Sequence, residues 1–375
     1  MKPKQILRCA NAIALVLAVV ALAPAYAAGN AYESHNLVSD GFVPADNLDK
    51  NLVNAWGIAF NPNGAVWVSD NHAGVATLYD GFGKAQLIGK SFTVAIPAAP
   101  GNSGIGSPTG IVFSSANDFV VHNADNSVSG PSRFIFSSED GALSGWAPTV
   151  DLNHAIRAQA TPNAIYKGLA LGANGTSNFL YATDFHNAKI DVFDKKFNPV
   201  SVPGGFVDPT IPAGFAPFGI QNIGGALFVT YAKQDAQGVD DVRGEGFGFV
   251  NVFDVNGKLI RRVASRGKLN SPWGIALAPA DFGKFANRLL IGNFGDGAIR
   301  AFDLHSGEYK GQLRKSDGQP LKIENLWGLQ FGNGVLNQST NTLFFSAGPD
   351  IENHGLYGSI TAVQATKRPD RDDDD

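Results

Sequence analysis

Two sets of residues carry the chemistry this sequence offers. The first is Trp56, Thr109, Lys167, Phe218, Trp273 and Trp327, each standing immediately before a glycine in a recurring pattern. Aromatic faces stack on sugars and planar ligands, and a lysine among them holds an anionic group. The same bulky side chains can instead fill a channel or wedge between sheets. The second set is His72, His122, Asp184, His186 and His354, in short segments that also hold Asp70, Asn71, Asn123, Asp125, Asn293, Asp296, Asp350, Glu352 and Asn353. Imidazole and carboxylate together bind a divalent metal or exchange protons. Asn, Asp and His also favour turns through local hydrogen bonds, and no HExxH-type metal spacing is present.

Both sets are positioned by a repeat. "NAWGIAF" begins at Asn54, "SPTGIVF" at Ser107, "IYKGLAL" at Ile165, "APFGIQN" at Ala216, "SPWGIAL" at Ser271 and "NLWGLQF" at Asn325. Their glycines, Gly57, Gly110, Gly168, Gly219, Gly274 and Gly328, lie 53, 58, 51, 55 and 54 residues apart. A near-constant period of this size marks a propeller or solenoid. Each copy is followed by a second apolar run ("AVWVSD", "DFVVHN", "NFLYATD", "ALFVTY", "RLLIGN", "TLFFSA"). A third run ("VATLYD", "SRFIFS", "KIDVFD", "FVNVFD", "AIRAFD", "SITAVQ") and a more polar fourth come next. Short alternating runs bounded by Gly, Asn and Asp read as antiparallel strands. Six repeats of four strands predict an all-β fold, a six-bladed β-propeller.

The sixth repeat stops after its third run, while "ESHNLVSDG" (Glu33–Gly41) is a spare strand at the start. Pairing the two closes the ring and removes an open edge. In such a ring the first strands line the axis, so the residue before each glycine points across one channel mouth. The loops between second and third strands share that face. The longest of them, Lys233–Phe247, is glycine-rich and charged and reads as a flap over the mouth.

Composition agrees with a turn-rich β protein: 44 Gly, 20 Pro and 10% aromatic residues in 375. The net charge of -4 gives no reason to expect nucleic acid. Lys2, Lys4 and Arg8 precede an apolar run and "AYA", which reads as a signal peptide over residues 1–27. Export to the periplasm or medium follows. Cys9, the single cysteine, falls inside that leader, so cysteine catalysis and disulfides are excluded from the exported chain. The propeller is expected over residues 33–365, and 366–375 forms an acidic tail with too little apolar character to fold. No second apolar run is long enough for a membrane span.

The repeats resemble NHL-type propellers and the gluconolactonase-like group, most closely over "GLALGANGTSNFLYATDFHNAKIDVFD" (Gly168–Asp194). Leader and repeats together resemble an exported bacterial family of six-bladed propellers with no assigned activity. The lactonases bind their metal through Glu, Asn and Asp just before repeat glycines. The matching positions here are Trp56, Lys167 and Phe218, none of which can ligate a cation, so the resemblance implies the fold without that metal site. The expected function is a monomeric binding module whose aromatic channel face takes a small molecule, a glycan or a protein. Hydrolase or lyase chemistry by the His and Asp groups, metal-assisted or not, is the alternative. No cofactor is required by the sequence.

Overall fold

A computed structural model of the chain describes residues 31–87, 93–102 and 104–363. The expected leader and tail lie outside the described residues. Among those residues the regular secondary structure is all strand apart from one short 3-10 turn at Gly283–Phe285. Six antiparallel sheets are arranged as blades, and each innermost strand packs on the next around the ring, the sixth against the first. The inner strands are Ala55–Phe60, Pro108–Phe113, Tyr166–Asn174, Phe215–Ile223, Pro272–Leu277 and Leu326–Phe331.

The core lies between blades. Phe228, Val250 and Val252 of blade 4 pack on Ile275, Leu289 and Ile291 of blade 5, all essentially buried. Such layers recur at the other seams because each strand alternates its side chains toward the two neighbouring blades. Closure follows the expected route. Ala31–Ser39 pairs antiparallel with Leu356–Val363, from Ala31 opposite Val363 to Ser39 opposite Leu356, with a bulge near Asn36. Tyr32 fixes the strand from the side, its hydroxyl donating to Phe282 O and accepting from Phe285 N–H.

The repeat glycines have a shared cause. None has a positive φ. A Cβ on Gly57 would stand 2.4 Å from Thr109 O, on Gly110 2.3 Å from Leu169 N, on Gly168 3.0 Å from Phe218 O. On Gly219 it would meet Trp273 O at 2.2 Å, on Gly274 Trp327 O at 2.5 Å and on Gly328 Trp56 O at 2.8 Å. Each glycine therefore receives the backbone of the next blade, and the six contacts run round the axis as one ring. Hydroxyls of the second strands latch it. Ser346 takes the Gly328 N–H and donates to Trp56 O, and Thr183 donates to Phe218 O at 2.8 Å.

Blade 2 departs from the expected strand assignment. Its second strand is Phe134–Ser138 and its third Ala142–Trp146, followed by Ile156–Ala160. "DFVVHN" instead belongs to a separate hairpin, Val120–His122 with Ser129–Pro131, inserted after the inner strand. Its alternation is real, but Phe119 and Val121 point into the seam with blade 3, against Tyr166, Leu169 and Phe197. The 58-residue interval, the longest of the five, marks this insertion in the sequence.

Candidate functional site

At the mouth where the inner strands begin, the chain enters through residues that tolerate the left-handed region. Asn54, Ser271 and Asn325, three positions before their glycines, have φ of 50°, 46° and 50°. This turn aims the next aromatics across the axis. Trp56 and Trp327 stack at 3.8 Å between ring centres, Phe294 stacks on the other side at 4.0 Å, and Trp273 meets Trp327 edge-on at 5.7 Å. Phe218 and Phe185 complete the cluster. Trp56, Phe218 and Trp327 are each 1% exposed, so these rings plug the mouth rather than face an open pocket. Beneath them a space of about 30 Å³ remains among four of the repeat glycines (Gly57, Gly110, Gly274 and Gly328), Ile58, Ile111, Leu169, Ile220 and Ile275, roughly one water's worth.

Trp273 ties the plug together. Its Nε1 donates to Lys167 O at 2.9 Å, so blade 5 is bonded to the entry of blade 3. Trp327 Nε1 donates to Asn54 Oδ1 at 3.2 Å. Thr109, the small member of the ring, is fully buried and donates to Tyr166 O at 2.7 Å.

Above the plug lies a polar layer drawn from five blades. Lys167 is 2% exposed, with Nζ 2.6 Å from Glu139 Oε1 and 3.2 Å from Asp240 Oδ1 and 5.2 Å from the Trp56 ring centre. Glu139 Oε2 accepts from Asn71 Nδ2, Asn71 Oδ1 from Asn54 Nδ2, and Asn54 Nδ2 also reaches Glu352 Oε2, at 3.0, 3.3 and 3.0 Å. Burial would pull Lys167 down, but Glu139 and Asp240 outweigh it and hold the ammonium above the usual lysine range. Burial likewise raises Glu139, and Lys167 more than offsets it, leaving that carboxylate ionised. Glu352 lacks such a neighbour in contact. Burial pushes it up to about 7 despite the Asn54 amide and the more distant Lys167. Burial also raises Asp241, whose Oδ2 has no hydrogen-bond partner among the described residues, as is true of Trp56 Nε1.

Asp240 and Asp241 arrive on the expected flap. It is docked, not merely overhanging. Gln234 Nε2 donates to Phe185 O at 2.6 Å, Gly244 N–H to Asn270 Oδ1 at 2.8 Å, and the Arg243 guanidinium covers Phe294 at 4.4 Å.

The residues proposed for a metal do not converge. His122 sits on the inserted hairpin, away from the loops between second and third strands, because the strand assignment of blade 2 shifts. Its place at the mouth is taken by Glu139, from the turn between Phe134–Ser138 and Ala142–Trp146, which the expected strand assignment had hidden. Asp184 caps its own loop, accepting from the Ile165 and Asn187 N–H groups. His186 faces Gly238 O at 3.3 Å. His354 bonds Asp40 at 2.6 Å and stacks on Phe42 at 4.0 Å. His72 stands near Glu139. Among the described residues no three His, Cys, Asp or Glu side chains form a group that could hold a metal ion. No helix among the described residues is long and apolar enough to cross a membrane.

The fold and this plugged, acid-rich mouth define the molecule as a six-bladed β-propeller. It is similar to the Escherichia coli soluble aldose sugar dehydrogenase structure at 12% identity and a TM-score of 0.50, covering 88% of this chain and 99% of that one. That likeness shows the fold alone. The chain belongs to one family with two proteins of Acanthamoeba polyphaga mimivirus, uncharacterized protein R648 and uncharacterized protein L690. Identity to R648 is 36%, covering 88% of this chain and 80% of R648. To L690 it is 35%, covering 88% and 85%. These relatives are viral, so the bacterial membership implied by the resemblance finds no support in them. No protein-family model matches the chain.

Proposed function

We propose that the protein is an exported binding propeller whose recognition site is the polar layer over the plugged mouth. The aromatic ring of Trp56, Phe218, Trp273 and Trp327 with Thr109 serves as its rigid floor, and Lys167 as its anchored charge. The observation that carries this is the surplus of acid. Glu139, Asp240, Asp241 and Glu352 gather around one buried lysine. Holding such groups out of water costs stability, and perturbed carboxylates in a convergent site are where ligands bind. The surplus suits a small polar molecule or amino sugar carrying an ammonium group.

Calorimetric titration of the purified protein with a panel of glycans, amino sugars and polyamines tests this, after elemental analysis for bound metal. Saturable binding that Glu352→Gln and Asp241→Asn weaken at least about tenfold is expected. Binding unchanged in both variants, or absent across the panel, overturns it.

One observation favours a second reading, an acid–base hydrolase or lyase. A carboxyl titrating near 7 suits proton transfer at neutral pH. In that case turnover carries an inflection near pH 7 that Glu352→Gln removes.

A further inference from the structure

A cleft opens at the rim between blades 2 and 3, on the side away from the mouth. Inner strands start at the mouth and successive strands alternate in direction. The links from first to second strand and from third to fourth therefore emerge on the opposite face. Three pieces meet there. They are the inserted hairpin, the start of the outer blade 2 strand Ile156–Ala160, and the blade 3 turn between Lys189–Phe193 and its short outer strand Pro199–Val200. Together they border about 640 Å³, inside the roughly 300–1,000 Å³ typical of small-molecule sites.

The walls are held by contacts that leave the cleft unfilled. Phe119 and Val121 of the hairpin are buried in the seam with blade 3, so the alternate residues Val120 and His122 face the cleft. Val120 is 41% exposed there, an apolar side chain without cover. Phe119 N–H donates to Lys195 O at 2.8 Å, and its ring meets Phe197 edge-on at 5.3 Å, which ties hairpin to turn. Ile156 and Phe197 extend the apolar wall.

The same space is cationic. Arg157, Lys195 and Lys196 line it, and among the described residues no carboxylate lies within 4 Å of any of them. Arg157 Nη1 donates to Ala98 O at 2.6 Å, which orients the guanidinium without neutralising it. The nearby acids are committed elsewhere. Asp118, in the wall itself, accepts from Asn178 Nδ2 at 2.8 Å. Asp194 accepts from the Lys196 and Asn198 N–H groups and from Asn198 Nδ2, all within its own turn. The chain carries a net charge of -4, so bulk composition does not account for three unneutralised cations in one cleft.

We propose that this cleft binds a small organic anion. A carboxylate or phosphate group is held by Arg157, Lys195 and Lys196, and an apolar body lies against Val120, Ile156 and Phe197. A guanidinium offers paired donors to either oxyanion, and the ammonium groups add charge without fixing geometry. The apolar wall gains by being covered, so the body contributes as well as the charge. The mouth, with Glu139, Asp240, Asp241 and Glu352 around one lysine, repels such a ligand. The two faces therefore select opposite charges.

The test titrates the full chain with 2-naphthyl phosphate and 2-naphthoate by calorimetry. Saturable binding of at least one is expected, weakened by salt. 2-Naphthol keeps the body and lacks the charge, whereas inorganic phosphate keeps the charge and lacks the body. Each should bind at least about tenfold more weakly than the naphthyl anion. Lys195→Glu/Lys196→Glu should weaken the naphthyl anion at least about tenfold. A measurement on the parent protein keeps misfolding from imitating the result. Bound naphthyl anion should shield Lys195 and Lys196 from acetylation, read by peptide mass spectrometry, and leave the exposed Lys315 reactive. No saturable binding of either anion, equal binding of 2-naphthol or inorganic phosphate, unchanged binding in the double variant, or no shielding of the two lysines each overturns the proposal. So does a sulfated polysaccharide that shields both lysines while the naphthyl anions fail. None of these results bears on the channel mouth, which Glu352→Gln interrogates separately.

Discussion

The channel mouth and the blade 3 rim treat charge in opposite ways. At the mouth, Lys167 is buried and paired, Glu139 is shared between Lys167 and Asn71, and the aromatic rings fill the axis. At the rim, Lys195, Lys196 and Arg157 stand exposed, and among the described residues no carboxylate lies within 4 Å of them. A charge the fold has enclosed is a structural commitment, because its removal strands its partner in low dielectric. A charge left on a rim costs nothing to keep and nothing to lose. Substitutions should therefore separate the two regions by their effect on stability before any ligand is known.

The largest effect is expected at Lys167. Lys167→Met leaves Glu139 without its cation, and breaking a buried pair in this way costs about 3–5 kcal/mol. The Asp240 partner is 71% exposed and adds little. Urea denaturation measures the loss. Adding Glu139→Gln should restore a good part of it, and a double variant no more stable than Lys167→Met would show that the pair does not hold the mouth together.

Next comes the glycine ring. Gly110→Ala drives a methyl to within 2.3 Å of Leu169 N, a contact with backbone that cannot move aside. A loss of about 1–3 kcal/mol is expected, as for other overpacked sites. Gly175→Ala is a poor control because its φ is positive, whereas a surface Ala→Gly change reports only propensity. A Gly110→Ala protein as stable as the parent would mean the inner strands slide apart freely.

Smaller again is the pH response of Glu352. Its native value of about 7 is raised above the ordinary 4.5, so between these values the folded chain binds more protons than the unfolded one. The sign follows directly. The stability associated with the protonated form is present below pH 4.5 and is lost as pH rises through about 7, on the order of 3 kcal/mol in all. Melting curves across pH 5.5–8.5 should show this decline, and Glu352→Gln should flatten it. A parent protein whose stability is level across neutrality would remove Glu352 from the list of perturbed groups.

Much of the frame was legible in the sequence, and for physical reasons. The glycines must recur because six backbones approach one axis, and the missing fourth strand of the sixth repeat is matched by Ala31–Ser39. What escaped was the content of loops. "DFVVHN" alternates like a blade strand, and alternation alone does not say which neighbour it pairs with. Its assignment carried His122 to the wrong place and concealed Glu139. The Lys167–Glu139–Asp240 cluster joins residues from three blades, so no local spacing announces it. Blade 3's short rim was hidden by "KIDVFD", a third run as regular as any other.

The smallest effect is the one that tests the comparison most directly. Lys195→Glu/Lys196→Glu removes two cations from the rim, and stability should change by no more than about 0.5 kcal/mol, as for exposed sites with no partner. The same urea measurement that registers Lys167→Met should return a parent-like midpoint and slope here. A loss comparable with the mouth variants would mean that those lysines hold their turn against the inserted hairpin, whose Phe119 N–H is bonded to Lys195 O. A parent-like result shows that neither lysine is needed by the fold.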